Sequence, residues 1–364
     1  RRGVSMQGRR SDDAGGKGPL HNLVAKPVWS APAERSDDGA LDPRRTRHNP
    51  KRCRAPLATA LQIATTCLAL LFTLLVITSC ARRPPKSPID RVAYQKEIAQ
   101  WQEQRWHELK GESGWLTLVG LFWLKEGTNK CGSDPKLDIV VQKVPPLLGE
   151  FVVTQGKINF VPLSGGLTFE GKSLPTVLPL ESDAADKPTI MNFGSLSFQI
   201  IKRNDKFALR VKDSQNPDRL NFKGTEFYAP DVKWRLDARF EPYNPPKPMP
   251  ITSVLGMESA ESSPGAVTFT VDGKEYRLDA MTERGESRYF MILADKTSGK
   301  ETYPAGRYLY VDPPDASGHL IIDFNKAYSP PCAFTKFATC PLPPRQNRLP
   351  FAIEAGEKYP RHAD

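Results

Sequence analysis

From residue 112 onward the chain is built of short runs in which Val, Ile, Leu, Phe and Tyr alternate with polar residues, cut by Pro and Gly. A period of two sends successive side chains to opposite faces, so such a run buries one face only as a strand. The clearest runs are 137–141, 150–154, 158–162, 196–203, 207–212 and 232–240, followed by 267–271, 276–280, 289–294, 307–311 and 319–324. Asp272-Gly273 lies between two of them and has the residue types a tight hairpin turn requires. No long helical pattern follows Gly111. Many short strands at this spacing predict a mainly β protein, a sandwich or a barrel, with sandwich-like sheets as the leading expectation.

One amphipathic helix is predicted ahead of the strands. Ser87-Pro88-Ile89-Asp90 supplies a cap, a first-turn proline and an early acid. Ile89, Val92, Ala93, Tyr94, Ile98, Trp101 and Leu109 then recur near helical spacing up to Gly111. Packing against a sheet accounts for Trp101 and Trp106 better than a ligand platform does. Residues 88–241 read as this helix plus an N-terminal β unit. Pro242, Pro245, Pro246, Pro248 and Pro250 mark 242–250 as a linker, and 251–360 read as a C-terminal β unit ending in a Pro-rich irregular segment.

The preceding segment carries an address. Residues 55–79 contain no charged side chain, and Arg44, Arg45, Arg47, Lys51, Arg52 and Arg54 stand just before them. A basic flank followed by an apolar run is the pattern of a secretion signal. The run ends in Ile77-Thr78-Ser79-Cys80, which resembles the bacterial lipobox. That resemblance implies a lipidated Cys80 tethered to a bilayer outside the cytoplasm, with 80–87 as a short tether. An uncleaved membrane-spanning helix is the competing reading. Residues 1–54 are poor in apolar side chains and read as a disordered or mis-called leader. Of the net charge of +10, residues 1–79 carry +7, which leaves +3 for the remainder. The folded part therefore has no electrostatic reason to bind nucleic acid.

Two motifs invite a function and lack its context. Gly166-Leu167-Thr168-Phe169-Glu170-Gly171-Lys172-Ser173 matches the phosphate-loop pattern, yet Pro175 and Pro179 follow where a helix would have to begin, so no ATP site is expected. Cys131-Gly132-Ser133-Asp134, Phe169-Glu170-Gly171-Lys172 and Asn192-Phe193-Gly194-Ser195 together resemble a forkhead-associated β-sandwich. Ser133 stands where that family carries its phosphate-contacting Arg, so the fold is implied without phosphopeptide binding.

The C-terminal part holds the densest polar sequence. Asp295-Lys296-Thr297-Ser298-Gly299, Tyr303-Pro304-Ala305-Gly306-Arg307-Tyr308, Asp323-Phe324-Asn325 and Ala355-Gly356-Glu357-Lys358 stand out there. With Gly114-Trp115-Leu116 and Phe207-Ala208-Leu209-Arg210-Val211-Lys212-Asp213, they resemble the family known as domain of unknown function 1684. That resemblance implies no activity. Asp295, Arg307, Asp323, Asn325 and Glu357 form the candidate ligand site, a buried Arg with carboxylates that orients a polar ligand. The competing reading is an Arg–carboxylate pair that pins irregular backbone onto a sheet. Cys332 and Cys340 are candidates for a disulfide, with two free thiols, a metal site with His319 and Asp323, or a Cys332–His319 nucleophile pair as alternatives. Only His107, His319 and His362 follow Cys80, so no metal cluster or other cofactor is expected. A ligand- or partner-binding envelope lipoprotein is the leading expectation, and a hydrolase-like enzyme using the C-terminal polar group is the alternative.

Overall fold

The computed structural model describes residues 89–359. The predicted leader, the apolar run, Cys80 and the tether lie outside the described residues. Within them, no helix is long and apolar enough to cross a membrane. Residues 98–359 belong to one compact unit, and residues 89–97 belong to a second.

Helix α1 (Arg91–Lys110) begins one turn later than Ser87 suggested. The Asp90 carboxylate accepts hydrogen bonds from the Val92 and Ala93 amides at 2.9 and 3.2 Å, which makes Asp90 the capping residue. From Ile98 on, the buried stripe is Ile98, Arg105 and Leu109, with Trp101 and Trp106 half-buried. A charged residue thus occupies the centre of that stripe. Gly114 follows the helix because a Cβ there would collide with the Glu108 and Leu109 carbonyl oxygens.

The first strands are β1 (Leu118–Trp123), β2 (Gly127–Gly132), β3 (Ile139–Val140), β4 (Gly149–Thr154), β5 (Lys157–Pro162) and β6 (Thr168–Phe169). They continue with β7 (Lys172–Ser173), β8 (Leu178–Leu180), β9 (Ile190–Phe193), β10 (Leu196–Arg203) and β11 (Lys206–Asp213). One sheet has the order β1-β11-β10-β9-β6-β7 and the other β3-β2-β4-β5-β8. Phe151 and Phe160 from one sheet share a core with Phe198, Ile200, Leu209 and Val211 from the other. The protein is mainly β, and this half is the expected sandwich.

Period two decides what the outer face of the six-stranded sheet presents. Leu209 and Val211 of β11 point into the sandwich core, so Arg210 and Lys212 point out of it. On β10, Phe198 and Ile200 point inward while Ile201 and Arg203 point out. Ile201, Arg203 and Arg210 are nevertheless buried. Arg203 donates to Thr339 of the C-terminal 331–341 segment, which lies over part of that face.

After helix α2 (Pro217–Leu220) come β12 (Arg235–Thr252), β13 (Glu258–Val271), β14 (Lys274–Asp279), β15 (Tyr289–Leu293), β16 (Arg307–Val311) and β17 (His319–Asp323). Four of these form a sheet ordered β14-β13-β12-β17, and β15 pairs with β16. Asp272 and Gly273 both have positive φ, 50° and 74°, as the β13–β14 hairpin requires.

The segment 242–250, expected to be a linker, is the interior of β12. Its pairing with β13 is interrupted between Pro242 and Lys247 and resumes through Thr252. Strand β17 pairs with β12 only at Arg235–Arg239, so beyond that point one edge of β12 has no strand neighbour. Pro248 and Pro250 are two apart and turn their ring nitrogens to the same edge. The missing amide donors therefore cost the ladder nothing if they face away from β13. Prolines written at every second position mark an edge strand as readily as a linker.

Candidate functional site

The predicted C-terminal polar residues are buried, and none of them lines the two clefts described below. Arg307 is 0% exposed. It donates to the Asp295 carboxylate at 3.3 Å, to the Ile353 carbonyl at 3.0 Å and to the Ala355 carbonyl. Asp295 also accepts from the Thr297 hydroxyl at 2.8 Å and the Ile353 amide at 2.5 Å. Burial acts against the Arg307 charge, and Asp295 opposes that effect. Asp323 accepts from the Asn325 amide and side chain, both at 3.1 Å, and Asn325 exchanges hydrogen bonds with the Asp231 backbone. Glu357 lies 3.3 Å from Arg105 of α1, which counters the upward push of burial on its carboxyl. These groups bind backbone and one another. They tie residues 353–357, which have no sheet ladder of their own, onto the strands.

Arg307 faces away from solvent because β16 alternates. Arg307, Leu309 and Val311 turn to the core shared with Met291 and Leu293, and Tyr308 and Tyr310 turn the opposite way. On that side lies a cleft of about 800 Å³, walled by α1, the outer face of the six-stranded sheet, the 283–288 loop and the Pro-rich 331–341 segment. Trp101, Trp115, Phe290, Tyr308, Tyr310 and Tyr328 line it.

These rings are held by cations and by one another. The Arg288 guanidinium lies 4.6 Å from the Tyr310 ring centre, and Arg105 lies 4.5 Å from that of Tyr328. Tyr310 and Tyr328 stack at 6.4 Å with an 18° angle between planes. Arg288 is fixed in turn by Glu286 at 2.7 Å, and Arg105 by Glu357 and the Ser329 carbonyl. Each cation–ring contact is worth about 0.5–2 kcal/mol depending on exposure, and a ring so clamped keeps little rotamer freedom to lose on binding. Glu283 accepts from the Tyr310 hydroxyl; burial pushes its carboxyl up, while Arg288 holds that of Glu286 down.

Two further arginines reach the cleft from the sandwich. Arg203 donates to Asp183 at 2.8 Å and to the Thr339 hydroxyl at 3.1 Å. Arg210 is 5% exposed, its guanidinium 5.5 Å from the Trp115 ring centre. It makes no side-chain hydrogen bond or ion pair with any described residue, and its Nε is buried without an acceptor. Burial, and then the like charge of Arg203, push Arg210 down to about 10. Its neighbour Lys212 is pushed down to about 8, by burial and then by Arg210.

A smaller cleft of about 500 Å³ adjoins beyond Arg203 and Thr339, against the Glu258–Glu261 stretch of β13. Its Lys202, Asn204 and Glu258 groups are already engaged or open to water, with Asn204 donating to the Glu258 carbonyl at 2.7 Å. Of the two clefts, the larger holds a buried charge with no ion pair, Arg210.

The remaining motif residues are also placed. Gly166–Ser173 forms the β6–β7 hairpin, turning at Glu170 and Gly171 with φ of 50° and 75°, and no helix follows to present amides to a phosphate. Cys332 and Cys340 are free thiols side by side, the Cys332 amide donating to the Cys340 sulfur at 3.1 Å. The hydrogen bond from Cys340 draws the Cys332 thiol down, and burial drives that of Cys340 well up. His319 belongs instead to Asp237, 2.7 Å away, and among the described residues no three His, Cys, Asp or Glu side chains cluster as metal ligands.

Fold and cleft together define a mainly β protein with an aromatic, arginine-rich binding cavity. Residues 220–358 match the family described as protein of unknown function (DUF1684). The solution NMR structure of an uncharacterised protein from Haloarcula marismortui is 30% identical, covering 40% of this chain and 81% of that one with a TM-score of 0.34. No curated protein matches.

Arg210 is the residue that the sequence reading passed over, although Phe207-Ala208-Leu209-Arg210-Val211-Lys212 carried the signal. A charged residue between two core-facing ones, in a strand with little exposed surface, must face a second interior.

Proposed function

We propose that this chain is a lipid-anchored binding protein of the bacterial cell envelope, and that the cleft takes up a small ring-bearing molecule. The aromatic panel carries the reading: Trp101, Trp115 and three tyrosines converge on one cavity, with Tyr310 and Tyr328 clamped by arginines before any ligand arrives. Such pockets combine large apolar walls with a few fixed polar groups. The envelope address rests on the apolar run and the lipobox resemblance at Cys80.

The cleft is tested by titrating the full chain with neutral ring compounds such as indole and benzamide, read by tryptophan fluorescence and ligand-observed NMR. Binding weakened by Tyr310→Ala supports the reading; no response to any ring compound rejects it. The address is tested by mass spectrometry of the membrane fraction. An acylated peptide beginning at Cys80 supports it, and a bare Cys80 in a soluble fraction rejects it.

A hydrolase reading has one observation in its favour. Glu283 and Glu286 share a loop on the cleft and are pushed in opposite directions, the arrangement that separates an acid from a base. Turnover found in a hydrolase screen and abolished by Glu283→Gln, with ring binding retained, would establish it.

A further inference from the structure

Arginines line the cleft in excess of their partners. Arg105 pairs with Glu357, Arg288 with Glu286, Arg284 with Asp186 and Arg203 with Asp183. Arg210 alone among these has no carboxylate. Arg203 and Arg210 come from paired strands of one sheet face and share a single buried acid, Asp183, which leaves one positive charge uncompensated. The strand neighbours of Arg210 are Leu121 on β1 and Gln199 on β10, neither of which supplies charge. A buried, unpaired cation is among the costliest features a fold can retain, and a guanidinium cannot shed its proton to escape that cost at neutral pH.

We infer that Arg210 is the anion subsite of the cleft, and that the ligand is a ring-bearing monocarboxylate whose acid group seats on its guanidinium. The inference rests on the reading of the cleft as a ligand site and adds the ligand's class. Guanidinium presents parallel N–H donors that match the two oxygens of a carboxylate. One uncompensated charge calls for one negative charge. Glu108 and Glu283 also line the cleft and would repel a second. Trp115 beside Arg210 provides a face for the ring attached to the acid.

The test uses the full chain with benzoate, benzamide and inorganic phosphate as probes, read by ligand-observed NMR. Benzoate and benzamide share ring and shape and differ in charge. Wild type is expected to bind benzoate at least about tenfold tighter than benzamide, as a charge-assisted pair requires. Arg210→Met should weaken benzoate until that preference is gone while benzamide still binds, which also shows that the variant is folded; Arg210→Lys should keep part of it. Equal binding of the two probes by wild type, or a preference that survives in Arg210→Met, overturns the subsite while leaving the ring-binding cleft intact. Phosphate binding tighter than benzoate overturns the monocarboxylate assignment. Failure of benzamide and benzoate alike removes the cleft reading itself, and the subsite with it.

Discussion

An unpaired buried charge kept for a ligand leaves a mark on the stability of the empty protein. Arg210 is 5% exposed and has no ion pair; the Trp115 ring, 5.5 Å away, and the charge of Asp183, which is itself paired with Arg203, offset its desolvation in part. Replacing buried ionic groups with apolar side chains of similar volume is often neutral or stabilising by about 1–4 kcal/mol. The lost cation–ring contact subtracts roughly 1 kcal/mol. Arg210→Met, which fills much of the same space, is therefore expected to leave the stability of the ligand-free protein unchanged or raise it by up to about 3 kcal/mol. At roughly 2–4 °C per kcal/mol for a body of this size, the thermal midpoint should hold or climb by up to about 12 °C. Urea unfolding followed by circular dichroism, after exhaustive dialysis, gives the same quantity as an equal or higher midpoint at unchanged slope. A loss of more than about 1 kcal/mol would mean that Arg210 holds the sheet to the cleft wall and is no ligand group.

Other residues should behave in the opposite or an independent way. Asp295→Ala strands the fully buried Arg307 charge and is expected to cost about 3–5 kcal/mol without altering benzoate affinity; normal stability with lost binding would restore the C-terminal cluster as a site. Oxidised glutathione should convert Cys332 and Cys340 into a disulfide, two reduced glutathiones leaving as the bond forms. Closing that short loop should add about 2–3 kcal/mol, and both thiols remaining open to alkylation after treatment would refute it. Lys212 is held down to about 8 in the folded state against an ordinary 10.5, so the unfolded chain binds more protons between those values. Stability should therefore rise with pH across that window, and Lys212→Met should flatten the rise. A slope that Lys212→Met leaves unchanged would contradict the assignment.

The fold was readable wherever one face of a strand is buried and the other is not. Strands β10 and β16 run over the residues expected from alternation, and Asp272-Gly273 makes its turn, because local chemistry and tertiary packing agree there. Strand β1 was missed: Leu118-Val119-Gly120-Leu121-Phe122 is a continuous apolar run, with no polar residue to mark the face that is only half-buried. The prolines of β12 read as a linker because sequence does not reveal which strand edge lacks a neighbour. Site residues were harder still. Arg307 and Tyr308 are adjacent, both sit on β16, and opposite faces give one to the core and the other to the cleft. Polar density drew attention to Arg307, whereas the cavity is assembled from rings and arginines on α1, β10, β11, β15 and β16, far apart in the chain.

Two arginines offer the most direct comparison, since both are buried and only one faces the cleft. Their Nε–H resonances can be followed by NMR while benzoate is added to the full chain, with Arg210→Met and Arg307→Lys giving the assignments. The account predicts that the Arg210 signal moves and saturates while the Arg307 signal stays in place. Movement of Arg307 with Arg210 still, or stillness of both, would contradict it.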